Sequence, residues 1–286
     1  MFSDKLRLFA QVLKLLVPFA FTLLGQKISA LIHKRTYHAL PASQTKNVVV
    51  IGGSFGGFQL AKRLTETLPT GYRVVLVEKN SHLNYLFAFP RFSVVKGYEQ
   101  YAFIPYTGLT KAAPEGIFCH VQDTAVEITE NSVVLSRGEQ IGYEYLIIAT
   151  GTSSSLPSKV DSTDREGGQK ELRGMQEKIA EAKRIAIVGG GAVGVEIASD
   201  IKSHFPEKDV ALIHSRAQLL QSFGKRLHEH AMEVLEDMGV AVLLKERPKL
   251  PEDGKSLELL GGKKEEFDLI VSGPSRRKIA TFNIFA

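Results

Sequence analysis

Two glycine clusters, and the residues just past the strands that follow them, hold the chemistry available to this chain. The first cluster runs Gly52-Gly53-Ser54-Phe55-Gly56-Gly57, and the second, 137 positions on, runs Gly189-Gly190-Gly191-Ala192-Val193-Gly194. In a G-x-G-x-x-G turn between strand and helix, the first glycine makes the tight turn. The second lets backbone approach a pyrophosphate, and the third lets helix and strand pack closely. The helix N-terminus then offers N–H donors and partial positive charge to the anion. Gly189, Gly191 and Gly194 fill all three places, whereas in the first cluster Ser54 takes the middle place between Gly52 and Gly57. A small hydroxyl there fits and can donate to phosphate. Two such cradles predict two bound dinucleotides, the arrangement that passes a hydride from a nicotinamide to a flavin.

The next strand ends separate the two cradles chemically. Glu78-Lys79 follows the first, and Glu78 stands 26 positions after Gly52. A carboxylate there accepts hydrogen bonds from ribose hydroxyls. The second unit ends instead in His214-Ser215-Arg216, with no acid. That removes repulsion against a 2′-phosphate, and Arg216 can pair with one. The second site is therefore expected to accept NADPH as well as NADH. A solvated surface arginine is the competing reading of Arg216.

These positions need strand–turn–helix scaffolds, and the sequence supplies them. Val48–Ile51 and Ile185–Val188 are β-branched runs; helices are expected over 58–68 and 195–205, and strands over 73–77 and 209–213. Tyr145–Ile148 reads as a buried strand leading into the small turn Ala149-Thr150-Gly151, where the chain can leave a sheet beside a cofactor. Further helices are expected over 169–182 and 225–238, the latter stopped by Gly239, with strands over 241–244, 257–259 and 269–271. Residues 80–114 are aromatic and irregular, and most of those rings are expected to be core, with lining of a flavin or a quinone route as the alternative. Residues 117–148 alternate as short strands, and 152–171 read as a crossover linker.

In this order, the pieces resemble the pyridine-nucleotide oxidoreductase superfamily with two dinucleotide folds. The closer resemblance is to its apoptosis-inducing-factor-like branch, that of the mitochondrion-associated inducers of death and ferroptosis suppressors. It is carried by Phe89-Pro90-Arg91-Phe92-Ser93-Val94, by Leu146–Gly151 and by Arg184–Asp200, and it spans roughly residues 46–272. The resemblance implies an α/β fold: two Rossmann-like three-layer dinucleotide-binding domains, the NAD(P)H domain inserted in the FAD domain, behind an N-terminal amphipathic helix. It divides the chain into an N-terminal segment and linker (1–44), the first part of the FAD domain (45–152), a crossover linker and helix (153–182), the NAD(P)H domain (183–267) and a return to the FAD domain (268–286). It implies FAD on Gly52, Gly53, Ser54, Phe55, Gly56, Gly57, Glu78 and Lys79, with Arg91 reaching the flavin or its phosphates and Ala149, Thr150 and Gly151 against it. It implies NAD(P)H on Gly189, Gly191, Ala192, Val193 and Gly194, with His214, Ser215 and Arg216 at the ribose. Glu196 resembles a family glutamate near the nicotinamide, with helix packing as the equal alternative. The implied activity is flavin-mediated, with hydride passing from NAD(P)H to flavin and electrons then to a quinone or similar acceptor. No protein nucleophile is required.

Past Ser272 the pattern departs. Phe267–Ser272 starts the expected strand, but Gly273-Pro274-Ser275-Arg276-Arg277-Lys278 replaces the second Thr-Gly turn and its flavin aspartate. The end reads as truncated, so dimerisation is not expected. The rival reading is a non-catalytic nucleotide-binding or signalling protein, or an inactive truncated isoform without stable FAD.

Composition narrows the remaining classes. The 286 residues carry a net charge of +5, and residues 1–36 account for all of it through Lys5, Arg7, Lys14, Lys27, Lys34 and Arg35 against Asp4. The rest is balanced, which argues against a nucleic-acid surface. Leu6, Phe9, Leu13, Leu16, Val17, Ala20 and Leu24 fall near one helical face, so residues 1–36 are expected at a membrane surface. Only 12 uncharged residues separate Lys14 from Lys27, so a span requires Lys14 to snorkel, and lying in the interface fits better. Alternatives are a cleaved signal, a mitochondrial presequence or a helix docked on the protein itself. The expected location is the cytoplasmic face of a membrane, with the mitochondrial outer membrane and the lipid droplet as candidates. Cys119 is the sole cysteine, which excludes a dithiol relay within one chain, and its apolar surroundings predict a buried inert thiol. No His, Cys or carboxylate spacing suggests a metal site.

Overall fold

The computed structural model describes residues 2–153, 156–249, 256–272, 278–279 and 283–284. The chain forms two compact units. The first comprises Met1–Lys79, Tyr106–Thr150 and Phe282–Ala286, and the second Asn80–Pro105 and Gly151–Thr281.

The first unit begins with the long helix α1 (Phe2–Thr36). A parallel sheet follows, built from β1 (Lys46–Ile51), β2 (Tyr72–Val77), β3 (Phe118–Val121) and β4 (Tyr145–Ile148), with helix α2 (Phe55–Thr65) between β1 and β2. The order is β3-β2-β1-β4. Lys46 lies opposite Tyr72 and Ile51 opposite Val77, so β1 and β2 end level where the first glycine cluster begins. Strand alternation sends Val49, Ile51, Val75 and Val77 to one face. There they pack with Ile128, Val133, Leu135 and Ile141 of a small antiparallel layer. Val48, Val50, Val74 and Leu76 are equally buried on the other face, and α2 lies against β1 and β2. This gives three layers. Strand β4 is an edge strand, with Tyr145 58% and Ile148 50% exposed, so it is not the buried strand its apolar run suggests.

The second unit repeats the plan. Helix α3 (Arg165–Glu181) precedes β5 (Arg184–Val188), α4 (Ala192–His204), β6 (Asp209–His214), α5 (Lys225–Asp237), β7 (Val240–Leu244) and β8 (Leu269–Ser272). The strands are parallel in the order β7-β6-β5-β8, the same winding as the first sheet. Ile185, Ile187, Leu212, Ile197 and Ile201 bury one face; Ala186, Ile213, Leu257 and Phe267 bury the other. The Asp268 carboxylate accepts N–H groups from Lys183 and Arg184, both at 2.8 Å, tying the start of β8 to that of β5. Those donors hold its carboxyl below the usual range. Residues 273–277, where the sequence departs from the family pattern, lie outside the described residues.

Four sequence expectations change here. Helices α2 and α4 begin three residues before the apolar periodicity shows, because their first turns are built from the small residues of the clusters. Residues 80–105, read above with the 45–152 stretch, pack in the second unit. Phe89 and Phe103 are fully buried there with Leu172 of α3, and a side chain at Gly168 would strike the Phe103 ring at 2.6 Å. Tyr85, Phe87, Tyr98 and Tyr101 of the same segment are exposed, so the aromatic run is only partly core. Finally, Cys119 is exposed on β3 rather than buried.

Helix α1 is anchored at one end only. His33 Nε2 meets the Leu68 carbonyl at 2.7 Å, and the Tyr37 hydroxyl donates to the Tyr72 carbonyl at 2.9 Å. Leu8, Val12, Leu15 and Phe19 form a second exposed apolar stripe beside the one read from the sequence. The apolar arc therefore covers more than half the circumference, by the ~100° step of a helix. The segment Lys5–Thr36 is long and apolar enough to cross a membrane, with a mean hydropathy of 1.8 in its most apolar window and none of that window buried.

Candidate functional site: two glycine cradles

The two cradles share their tight turn, their tie to the neighbouring strand and their close helix approach. Gly52 leaves β1 at φ +100° and Gly189 leaves β5 at φ +130°, conformations that a side chain strains. The Gly52 N–H donates to Val77 at 2.8 Å and the Gly189 N–H to Ile213 at 2.9 Å, so each turn is tied to the neighbouring strand. A Cβ on Gly57 would lie 1.8 Å from the Gly52 carbonyl oxygen, and a Cβ on Gly194 would lie 1.8 Å from that of Gly189. The third glycine thus lets each helix approach its turn, as the spacing predicts.

The middle position explains the serine. Ser54 caps α2 at φ −78°, ψ −166°, and Gly191 caps α4 at φ −82°, ψ −176°. Both are extended backbone, which any residue adopts. A Cβ at Gly191 would meet nothing within 4 Å. Serine therefore costs this place neither strain nor space. Phe55 and Gly56, like Ala192 and Val193, form the first helical turn, where N–H groups have no intrahelical acceptor and face outward along the axis.

What each strand end does to its loop is less legible in sequence. Glu78 is buried, and its Oε2 accepts the Gly53 N–H at 2.5 Å. His214 stands in the corresponding place: its Nδ1 accepts the Gly190 N–H at 3.0 Å. The imidazole replaces the carboxylate as acceptor, and to accept it must leave Nδ1 unprotonated. Burial lowers the His214 pKa from 6.5, and Arg216 adds to that. Ser215 and Arg216 are exposed, and Arg216 donates to the Gln221 side chain. Lys79 is exposed beside Glu78. Ala149 backs the first cradle, since its carbonyl would lie 2.5 Å from a Cβ on Gly52; Thr150 and Gly151 continue the chain, Gly151 at φ +65°.

Sequence reasoning missed three polar groups. The Tyr106 hydroxyl donates to the Gly53 carbonyl at 2.7 Å, beneath the first cradle. Burial and then Glu78 raise its pKa strongly, keeping it a donor. The His120 ring lies 4.6 Å from that of Tyr106, and burial lowers its pKa. No local signal links these residues to Gly53. The third group is Asp200. Arg91, expected at the flavin or its phosphates, pairs with Asp200 at 2.9 Å. Asp200 follows Glu196 by four positions on α4, a spacing that places both on one face. Burial raises both carboxyls, with Asp200 adding to the effect on Glu196 and Arg91 opposing it on each.

The residues present fit pyrophosphates at both loops: two turns in which a Cβ has no room, two helix N-termini, and one carboxylate and one imidazole at the strand ends. Two parallel sheets of one winding, each with such a cradle, define a protein built on two dinucleotide-binding folds. The family model described as pyridine nucleotide-disulphide oxidoreductase matches residues 46–273. Fe-regulated protein 8 of Mycosarcoma maydis is 37% identical over 255 residues, covering 81% of this chain and 64% of that relative. Ferroptosis suppressor protein 1 of Mus musculus is 32% identical over 203 residues, covering 70% of this chain and 52% of that relative. The chain thus spans less than two thirds of either relative. In fold it is similar to the sulfide:quinone oxidoreductase of Aquifex aeolicus, with a TM-score of 0.63 at 20% identity, covering 81% of this chain and 59% of that one. The chain belongs to the pyridine nucleotide-disulphide oxidoreductase family. FAD and NAD(P)H are its cofactors.

Three predictions follow from this geometry. Ser54→Gly changes flavin affinity by no more than about twofold, since exchange at an N-cap costs only a few tenths of a kcal/mol. Gly57→Ala forces the helix off its turn, at ~1–3 kcal/mol of overpacking, and abolishes retention of flavin through gel filtration. For His214, the lowered pKa means its stability contribution is fully present above the ordinary value of 6.5 and is lost as pH falls through the lower folded value. Melting temperature should fall across that window in the wild type. His214→Asn, which keeps an acceptor but cannot titrate, should remove that part of the fall.

Proposed function

We propose that the chain is the two-cradle core of an NAD(P)H oxidoreductase held at a membrane, with FAD on the first cradle, NAD(P)H on the second and a quinone-type electron acceptor. The observation that carries this reading is the doubled cradle with unlike strand ends. Glu78 provides a buried carboxylate at the first, suited to ribose hydroxyls. His214 and Arg216 provide a neutral and a cationic group at the second, suited to a ribose with or without a 2′-phosphate.

In this reading Gly52, Ser54 and Gly57 shape the first anion site, and the first turn of α2 supplies N–H donors. Tyr106 and Glu78 hold the Gly53 peptide from both sides, by its oxygen and its nitrogen. That preorganises the loop, so binding spends less on ordering it. Gly189, Gly191 and Gly194 do the same for NAD(P)H, with His214 fixing the Gly190 peptide. Glu196 faces the nicotinamide, and its raised pKa suits a carboxyl that donates or accepts one hydrogen bond. When bound, the flavin supplies two-electron acceptance from a nicotinamide and onward delivery to a quinone. Helix α1 would hold this machinery at the lipid phase, where such an acceptor dissolves. The quinone in the name of the Aquifex aeolicus protein is consistent with that class of acceptor.

The test is optical. The purified full chain, supplied with FAD, should be yellow and should bleach anaerobically with NADH and with NADPH. Arg216→Ala should raise the KM for NADPH on the order of tenfold, the equivalent of one charge-assisted contact, and leave that for NADH unchanged. A colourless protein under saturating FAD would refute the flavin assignment. The membrane reading is tested separately, with Leu15→Glu and Phe19→Glu combined. Both positions are exposed, so the fold should persist while flotation with phosphatidylcholine vesicles is lost.

A further inference from the structure

We propose that the groove between α1 and the rest of the first unit binds one anionic glycerophospholipid, its phosphate on Lys27 and Lys34 and an acyl chain along the apolar floor. The proposal rests on the membrane reading of α1 and assigns that helix a specific lipid.

The groove opens where α1 comes down onto the domain. On its free side the helix presents apolar residues to solvent, and at its far end His33 and Tyr37 pin it to Leu68 and Tyr72. Just before the pins lies a cavity of about 450 Å³, bounded by α1, by α2 and by Gly108, Leu109, Ala113 and Pro114. That volume falls in the ~300–1,000 Å³ range of small-molecule sites. Its floor is apolar, with Phe58, Leu109 and Pro114 on the domain side and Ala30 and Leu31 on the helix side.

The charges are arranged for an anion. Lys27, Ala30, Leu31 and Lys34 follow i, i+3, i+4, i+7 spacing and so share one face of α1. On the opposite wall Lys62 and Arg63 both pair with Glu66. Among the described residues, Lys27 and Lys34 have no ion-pair or hydrogen-bond partner. The rim therefore holds four cations against one carboxylate. Lys27 and Lys34 stand about 10 Å apart along the helix axis, and their long stems can converge on one phosphate from either side. An apolar floor beneath two uncompensated ammonium groups matches a molecule with an anionic head and a hydrocarbon tail. A free phosphate would leave the floor wet, and an uncharged amphiphile would leave the lysines unpaired. The position also matches the source, because a helix inserted up to Gln26 brings Lys27 and Lys34 to the headgroup layer.

The experiment is calorimetric titration of the full chain with dioctanoyl phosphatidic acid below its micelle concentration. Two variants are compared with the wild type: Lys27→Glu with Lys34→Glu, both exposed, and Ala30→Trp, which fills the groove. The wild type should bind, and each variant should weaken binding on the order of tenfold or more, as expected for lost charge-assisted contacts or a blocked chain. If Ala30→Trp does not fold, the surface charge reversal carries the test alone. Dioctanoyl phosphatidylcholine should bind more weakly, and inorganic phosphate should not compete. Absence of wild-type binding, equal binding by the charge-reversed variant, equal binding of the zwitterionic lipid, or full competition by inorganic phosphate would each overturn the proposal. Flotation on neutral phosphatidylcholine vesicles separates the two readings. The charge-reversed variant should float as the wild type does. A wild type that does not float but binds phosphatidic acid through these lysines would remove the membrane anchor and leave the groove standing.

Discussion

Among the described glycines, the tightest constraint is the space between a helix start and the carbonyl of the turn that feeds it. At Gly57 and again at Gly194 there is no room for a single methyl group. That approach sets the angle at which α2 leaves β1 and α4 leaves β5. The angle in turn decides where the first-turn N–H groups point and which apolar residues of each helix reach the sheet. Ile197 and Ile201 are fully buried because α4 lies this close to β5. The placement of the first-turn N–H groups and the core packing are consequences of one short distance.

Upon this shared frame the two units differ in one acceptor. Glu78 and His214 receive the N–H of equivalent glycines, Gly53 and Gly190. A carboxylate there brings negative charge to the loop; a neutral imidazole brings none. The frame does not change, yet the electrostatic character of the site does. A single strand-end side chain thereby sets the charge next to each loop.

Much of this was readable from sequence, for identifiable reasons. Glycine at fixed offsets is dictated by sterics, so Gly52, Gly57, Gly189, Gly191 and Gly194 announced both cradles. β-branched runs bounded by turns gave the strands, and their boundaries hold to within a residue or two. The contacts made across the fold could not be read. Tyr106 stands 53 positions from the glycine it bonds, and Arg91 is 109 positions from Asp200. Burial misled at Cys119 and Tyr145, where local apolarity suggested a core position and the sheet edge or surface decided otherwise. The width of the apolar arc on α1 was also missed, since one stripe of seven residues fitted an interfacial helix and the neighbouring stripe was not counted.

The chain passes between the two units four times, at residues 79–80, 105–106, 150–151 and 281–282. Neither unit is therefore a continuous stretch of polypeptide. A gene fragment cut at any one of these crossings would encode an incomplete sheet or leave an apolar surface without its cover. During synthesis, the first cradle gains its Tyr106 support and its β4 edge only after the Asn80–Pro105 excursion has left the ribosome. The interleaving makes the halves poor candidates for exchange by recombination at a single joint, and it favours inheritance of both cradles together.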